Sequence, residues 1–353
     1  MNTMKRLLML MLAMCVLTGA SAQGWNIGFT FWDKKLQKKA DKGDARSQYK
    51  VAITYLQGRG IQKSETEAAK WMKKAADQGF ISAVYNMAVF YHEEIGVSWD
   101  AKQCIYYLRK AAEGGHDDGQ YYLGECYQHG VYGLPQDYAE AMKWFEKSYA
   151  QGNKDAQYQL GLHYANGYGV ETNYAKALEL LQPLADRDDD RAQLVIGQCY
   201  LYGDGVAKDE AKALEWFKKA SAKKNSLATY LAGMCYYDGT GVERDVYTGI
   251  EWLKKAVEYK SSYAGNFLGE LYYTGKYVEG ESKNYDKAFE CLKMAAEHQS
   301  HPIANSMRLL AACYRYGLGT SQDAEKEKYW MEEAANHNDE KAKSALGVLE
   351  RTF

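Results

Sequence analysis

The chain has 353 residues, of which 46% are hydrophobic and 25% are charged, and its net charge is −2. This composition excludes collagen-like, disordered and multi-span membrane chains. The near-neutral charge argues against a nucleic-acid partner. The chain contains 31 Tyr and 32 Gly but only 3 Pro, which favours a helical unit that is used many times.

The first segment has the pattern of an export signal. Lys5 and Arg6 precede the uncharged apolar run 7–18, and small residues follow up to Ala22. These are the three parts of a secretory signal peptide. We therefore predict a signal peptide over residues 1–22, with cleavage near Ala22, and a protein that is periplasmic or secreted.

A lipoprotein is the alternative interpretation of this segment, with Cys15 as the acylated residue. Met14 argues against it, because a small residue is expected immediately before such a cysteine. After the leader, no apolar run is long enough to predict a transmembrane segment in the mature chain.

From residue 43 onward the sequence repeats with a period of 36 residues, with one extra residue in the third unit and six in the seventh. The eight units begin at Gly43, Gly79, Gly115, Gly152, Asp188, Lys224, Lys260 and Pro302. Position 13 is always Tyr: Tyr55, Tyr91, Tyr127, Tyr164, Tyr200, Tyr236, Tyr272 and Tyr314. A Gly follows three residues later in seven of the units, which predicts a helix, a Gly-rich turn and a second helix.

Each predicted helix has a single stripe of apolar and small residues. In the first helix of the fourth unit the stripe contains Ala156, Leu160 and Tyr164, and in the second helix of the fifth it contains Trp216 and Ala220. Neither helix can bury such a stripe alone, so the units are expected to stack in one array.

The predicted organisation after the signal peptide is a single elongated, all-α domain. It comprises an N-terminal capping helix in 23–42, eight repeats in 43–337 and a C-terminal capping helix in 338–353. The two outer segments match half a unit each and would shield the ends of the array. No linker or change of composition divides the chain.

The units resemble the Sel1-like repeats, which are relatives of the tetratricopeptide repeats. The resemblance depends on the segment 152–164, the turn Gly167-Tyr-Gly169-Val170 and the motif Tyr174-Ala-Lys-Ala177, and it covers nearly all of the mature chain. It implies a right-handed α-solenoid in which the first helices line a concave surface. It also implies an adaptor or scaffold that binds other proteins.

Three departures from the repeat predict local changes. The second unit has 93–95, Glu-Glu-Ile, where a Gly turn is expected, and the fourth has Pro183 inside its second helix, which should kink that helix. The seventh unit has an enlarged turn in 276–284 and a longer link before the eighth. We expect the curvature of the array to change near 276–302.

Two motifs that resemble ligand-binding loops are explained by turns and helix caps. The Gly-x-Gly segments 203–205 and 239–241 lack the other residues of a phosphate-binding loop and recur with the repeat, so we predict turns. The acidic cluster has the spacing of a calcium loop at its start: Asp186, Asp188 and Asp190. Its sixth position is Arg191 where that loop needs Gly, so we predict helix capping instead.

The histidines form no metal motif of sufficient length. His92 starts like a zinc-protease motif, but no second His follows four residues later. His298 and His301 could form a metal pair, although a solvated loop is the expected interpretation. We therefore predict no metal, no cofactor and no catalytic site.

Six cysteines remain after cleavage. Four of them precede the recurring Tyr directly: Cys126, Cys199, Cys235 and Cys313. Cys104 and Cys291 belong to second helices. Equivalent positions in neighbouring repeats are too far apart for a disulfide. Buried free thiols are therefore predicted, and Cys104–Cys126 and Cys291–Cys313 are the pairs that remain open.

By analogy with tetratricopeptide repeats, positions 7, 11 and 14 of each repeat, which belong to its first helix, should face the concave surface. Positions 11 and 14 differ from unit to unit and are free to encode specificity. Aromatic residues and Arg are common anchors of protein interfaces. We predict that eight residues at these positions bind the partner: Glu125, Gln128, Gln198, Met234, Tyr237, Glu270, Tyr273 and Arg315.

The sequence therefore predicts an exported, non-enzymatic scaffold that binds a protein or peptide on its concave face. The alternative is a cell-wall-ligand-binding or weakly β-lactam-hydrolysing protein, as a likeness to cysteine-rich Sel1 relatives would imply. Those relatives carry two cysteines per repeat, whereas no unit here does.

Overall fold

A computed structural model describes residues 31–276, 283–298 and 300–350, with side chains up to residue 347. These residues form 18 α-helices and no strand. In chain order the helices are α1 (Lys34–Asp41), α2 (Ala45–Gln57), α3 (Glu65–Asp77), α4 (Ile81–Glu93), α5 (Ala101–Glu113), α6 (Asp117–His129), α7 (Tyr138–Tyr149), α8 (Lys154–Asn166), α9 (Tyr174–Ala185), α10 (Asp190–Tyr202), α11 (Glu210–Ala222), α12 (Ser226–Asp238), α13 (Val246–Glu258), α14 (Ser262–Thr274), α15 (Tyr285–Ala296), α16 (Ala304–Tyr316), α17 (Ala324–Asn336) and α18 (Glu340–Glu350).

The helices form successive hairpins, which confirms the predicted all-α fold of helix–turn–helix repeats. The even-numbered helices from α2 to α16 are the first helices of the eight repeats, and each has 13 residues. The odd-numbered helices from α3 to α17 are the second helices. The remaining helices α1 and α18 lie where the capping half-repeats are predicted. The predicted signal peptide and part of the 276–302 region lie outside the described residues.

Glycine ends most of the first helices in the left-handed conformation. The C-cap residues with positive φ are Gly58, Gly130, Gly167, Gly203, Gly239, Gly275 and Gly317. Glu94 takes this position in repeat 2 with a φ of 58°. The backbone therefore turns there without Gly, and the Gly-x-Gly segments are turns, as predicted.

The second Gly of the turn lets neighbouring repeats approach closely. A Cβ atom at Gly169 would lie 2.5 Å from the carbonyl carbon of Tyr138, in the first turn of α7 in the preceding repeat. A Cβ atom at the corresponding glycines Gly96, Gly241 and Gly319 would lie even closer, at 2.1, 2.3 and 2.2 Å from the second helix of the repeat before them. The two glycines of the turn therefore have different roles. The first allows the positive φ that ends the helix, and the second leaves room for the helix of the preceding repeat.

The chain divides into two compact units within α9. The N-terminal unit ends at Leu180, and the C-terminal unit begins at Leu181. The N-terminal unit has a core that includes Met72, Phe90 and Phe145. The C-terminal unit has two apolar clusters, one around Phe217 and one around Leu253, Leu268 and Leu292. The structure retains Pro183 within α9. The single elongated domain, its handedness and the kink stay predictions.

Candidate protein-binding face

One face of the first helices in the C-terminal unit is unusually apolar. Positions 4, 8 and 11 of a repeat are four and three residues apart, so they lie on one side of a helix. We call this set in repeats 6 and 7 the α12–α14 face: Leu227, Leu231, Met234, Tyr263, Phe267 and Glu270. Each of these side chains is at least partly exposed, and Tyr263 is 42% exposed.

Aromatic contacts join the two helices of this face. The rings of Tyr230 and Tyr263 have centroids 5.8 Å apart, and those of Tyr237 and Phe267 meet edge to face at 5.1 Å. Such aromatic pairs stabilise beyond their buried area. The contacts hold α12 and α14 side by side, so the α12–α14 face is continuous from one repeat to the next.

Charge is confined to the margin of the α12–α14 face. Glu270 is exposed at one end, and Asp238 follows the face on α12. Burial is the main cause that raises the pKa of Tyr230, with the charges of Asp238 and Tyr263 adding to it. The tyrosine therefore stays neutral at physiological pH, and the centre of the face has no charged group.

The corresponding residues of the N-terminal unit pack between repeats instead. Glu125 on α6 is only 3% exposed and accepts a hydrogen bond from Gln159 Nε2 on α8 at 2.7 Å. Gln128 lies 2.7 Å from His163 Nε2, also on α8. These contacts join the first helices of repeats 3 and 4. Glu125 is buried between them, whereas Gln128 stays partly exposed.

The ring of His163 lies between two oxygen atoms. Its Nδ1 is 2.8 Å from the carbonyl oxygen of Tyr168, and its Nε2 is 2.7 Å from Oε1 of Gln128. Burial is the main cause that lowers the pKa of His163, against the opposing bond to Tyr168. Either tautomer of the neutral ring therefore donates to one of these two oxygens.

The other predicted partner residues lie on four helices of the C-terminal unit. Met234 and Tyr237 belong to α12, and both are partly buried. Tyr273 packs edge to face on Tyr285 at 5.9 Å. The guanidinium of Arg315 forms an ion pair of 2.9 Å with Glu327.

Gln198 lies half-buried on α10, at position 11 of repeat 5. Met234 and Glu270 belong to the α12–α14 face, and Tyr237 contacts Phe267 of the same face. The partner-binding role of all eight residues stays a prediction.

Four residues of this face were not predicted from the sequence: Leu227, Leu231, Tyr263 and Phe267. They occupy positions 4 and 8, whereas the analogy with tetratricopeptide repeats selected positions 7, 11 and 14. Position 7 lies beside this face, since the half-buried Tyr230 contacts Tyr263. Counting back three and seven residues from Met234 and Glu270 would have found them.

Potential metal ligands are engaged in local hydrogen bonds. In the part of the chain that the structure describes, only His116, Asp117 and Asp118 bring three potential ligand atoms within 4.8 Å of one another. His116 Nδ1 accepts from the backbone N–H of Gly119 and caps α6. Asp118 accepts from Asn153 in the next repeat. This cluster therefore packs two repeats together.

The other motifs that the sequence singled out also have structural roles. His298 Nδ1 accepts from the backbone N–H of His301. His92 Nδ1 lies 2.6 Å from the hydroxyl of Tyr132. The predicted capping at the acidic cluster is provided by Asp189, which the prediction had not named and which accepts from two backbone N–H groups of α10.

All six cysteines of the predicted mature chain are free thiols, five of them buried and Cys291 partly buried. Burial raises the pKa of Cys104 to about 12. It likewise raises the pKa of Cys199, Cys235, Cys291 and Cys313 to about 11. The predicted free thiols are present, and neither candidate disulfide is formed.

Comparison with known proteins agrees with this architecture. The family model for the Sel1 repeat matches eight segments: residues 45–80, 81–116, 117–153, 154–189, 190–225, 226–258, 262–300 and 304–339. No curated protein matches the chain.

Two crystal structures are similar over most of the chain. A Sel1 repeat protein from Oxalobacter formigenes is 25% identical, with a TM-score of 0.68 over 96% of this chain and 93% of that one. A protective antigen with an SLR fold, from uropathogenic Escherichia coli, is 28% identical, with a TM-score of 0.63 over 90% and 67%. Because the family model spans nearly the whole repeat region, the chain belongs to the Sel1 repeat family.

Proposed function

We propose that this protein is an exported, non-enzymatic adaptor that binds a segment of a partner protein on the α12–α14 face. The observation that carries the proposal is a continuous, partly exposed apolar surface formed by two neighbouring first helices. Aromatic contacts of Tyr230 with Tyr263 and of Tyr237 with Phe267 hold the two helices together. The Sel1 repeat fold typically mediates interactions between proteins, which supports the same conclusion.

The chemistry of the face suits an apolar polypeptide segment. Leu227, Leu231 and Met234 offer aliphatic area on α12, and Tyr263 and Phe267 offer rings on α14. Contiguous apolar surface with a polar margin is typical of interaction sites. Packed helices hold these side chains in place before binding, which lowers the ordering cost on the receptor side.

The export part of the proposal depends on the N-terminal pattern of residues 1–22. The relative from uropathogenic Escherichia coli is described as a protective antigen, which is consistent with a protein outside the cytoplasm. N-terminal sequencing of the protein from a periplasmic or culture fraction is the test. We expect a mature chain that begins at Gln23, and an intact Met1 on protein found only in the cytoplasm would contradict export.

The binding proposal is tested by affinity capture from envelope and culture fractions with the mature protein. The variant combines Met234→Ser with Tyr263→Ala. The matched control is Tyr247→Ala, since Tyr247 is 67% exposed but lies on the second helix α13. All three proteins should have the same circular-dichroism spectrum at the capture temperature, although the loss of the partly buried Met234 is expected to lower the melting temperature of the double variant.

We expect a partner that the native protein and the control capture equally and that the double variant loses at least tenfold. A partner retained by the double variant would place the binding site elsewhere. A partner lost by the control alone would place it on the second helices and contradict the proposed face.

A further inference from the structure

The exposed side of α5, in repeat 2 of the N-terminal unit, has a stripe of basic and aromatic residues. Lys102, Tyr106, Arg109 and Glu113 are spaced by four, three and four residues, and all are exposed. With Ile105 and Lys110 they line an open groove of about 340 Å³. The groove runs along a single helix.

The cations of this groove have no ion-pair partner among the described residues, unlike most of their counterparts in the same unit. Lys70, Lys73 and Lys143 on α3 and α7 each pair with a carboxylate of their own helix. Lys74 and Lys147 lie over the Trp rings of those helices.

On α5, Glu113 takes the place that Asp77 has on α3, four residues after a cation, but among the described residues it forms no ion pair with Arg109 or Lys110. Asp100 caps the helix through Oδ1, which accepts from the backbone N–H groups of Lys102 and Gln103, and it too forms no ion pair with a cation of this stripe. Lys102, Arg109 and Lys110 outnumber the carboxylate of Glu113 in this groove, so the groove keeps a positive potential that an external anion can neutralise.

The aromatic part of the groove is held in place from below. Tyr106 is 54% exposed, and its ring meets Tyr107 edge to face at 5.1 Å. Tyr107 in turn stacks on Tyr91 at 5.8 Å. A ring that is fixed on one side and open on the other can bind an apolar group at little entropic cost.

Repeat 2 also departs from the other repeats in the turn that precedes α5. In most repeats a polar residue at position 21 packs on the Gly at position 16, as Lys63 does on Gly58 and Lys208 on Gly203. Repeat 2 has Glu94 and Trp99 at these two positions, and Trp99 is 48% exposed. Trp99 directly precedes the N-cap of α5.

We propose that the α5 groove binds an acidic peptide segment that carries one aromatic residue. Carboxylates of the segment would pair with Arg109, Lys102 and Lys110, and its ring would pack on Tyr106 and Ile105. Charge complementarity selects an acidic partner, and the exposed ring selects an aromatic side chain within it. This site differs from the α12–α14 face in helix type, repeat and chemistry.

The test is fluorescence anisotropy with three labelled heptapeptides at low and physiological ionic strength. The first probe is Glu-Asp-Glu-Phe-Glu-Asp-Glu, the second has Ser in place of Phe, and the third has Lys in place of every acid. The protein variants are Arg109→Ala and Tyr106→Ala, with Lys143→Ala on α7 as the matched control. These residues are exposed, and unchanged melts confirm that each variant is folded.

We expect the first probe to bind best and the third not at all. Arg109→Ala and Tyr106→Ala should each weaken the first probe about tenfold, and the control should leave it unchanged. Equal binding of the first two probes, with full displacement by heparin, would mean a general attraction of polyanions and would overturn the proposal. Absence of binding, or equal binding to Arg109→Ala, would also overturn it.

Discussion

Two glycines of repeat 4 have similar backbone angles but different surroundings. Gly152 has a φ of 90° and Gly169 a φ of 69°. A Cβ atom would meet nothing within 4 Å at Gly152, whereas at Gly169 it would lie 2.5 Å from the backbone of Tyr138. Conformational strain is therefore shared by both sites, and the steric conflict belongs to Gly169 alone.

We expect Gly152→Ala to lower the free energy of unfolding by about 1 kcal/mol, which is the typical cost of the left-handed conformation. Gly169→Ala should lower it by about 3 kcal/mol, because displacing α7 adds the cost of overpacking. Urea denaturation followed by circular dichroism measures both. Equal losses would show that the contact with Tyr138 adapts without cost.

His163 makes the stability of the N-terminal unit depend on pH. Burial lowers its pKa below the ordinary value of 6.5. Above 6.5 the ring is neutral in both states, so it adds no pH dependence. Below pH 6.5 the histidine of the unfolded chain is protonated, whereas the ring in the folded protein is not. The free energy of unfolding therefore falls as the pH decreases toward the pKa of the folded state.

We expect this decrease to reach at most about 1.4 kcal/mol per pH unit for one histidine. The variant His163→Gln should be less stable at pH 7 but should lose less stability between pH 7 and pH 5. Urea denaturation at several pH values compares the two slopes. Parallel slopes would mean that other buried histidines, such as His116, account for the acid sensitivity.

At the scale of the helix, a single Asn can cap one repeat and bind the preceding one. Asn225 Oδ1 accepts from the backbone N–H of Ala228 in the first turn of α12. Its Nδ2 donates to Asp190 on α10 at 2.8 Å. The side chain therefore defines where α12 begins and also ties it to the first helix of repeat 5.

We expect Asn225→Ala to lower the free energy of unfolding by about 1 to 2 kcal/mol, since it removes both hydrogen bonds. Asn225→Ser retains the cap and removes only the bond to Asp190, so its loss should be smaller. Thermal and urea melts of both variants, with Asp190→Ala to complete a double-mutant cycle, separate the two contributions. Equal losses would mean that the cap contributes nothing.

The elements could be predicted from the sequence because each helix has its own stripe and its own Gly signal. The recurring Tyr and Gly defined eight hairpins, and every one of them is present. The face that a helix presents to solvent was harder to predict. A stripe shows which residues pack, but neighbouring first helices also bury side chains such as Glu125, which contacts Gln159 from another repeat.

The α5 groove could not be predicted from the stripe either. Lys102, Arg109 and Lys110 resemble the lysines of other second helices in sequence. Only the contacts show that those lysines have carboxylate or ring partners and that the cations of α5 do not. The partner chemistry of a repeat protein thus depends on which interactions are left unused, and sequence spacing does not record this.

At the scale of the whole molecule, a repeat array distributes its stability along the chain. Each repeat contacts mainly its neighbours, so a local change should destabilise locally. We expect Gly169→Ala to reduce amide protection in α7 and α8, whose repeats it separates, and to leave α16 unchanged. Hydrogen exchange measured by mass spectrometry on the full chain tests this, with Gly152→Ala as the control that retains the contact. If protection fell equally in α8 and α16, the chain would unfold as one cooperative body, and the two compact units would have no separate stability.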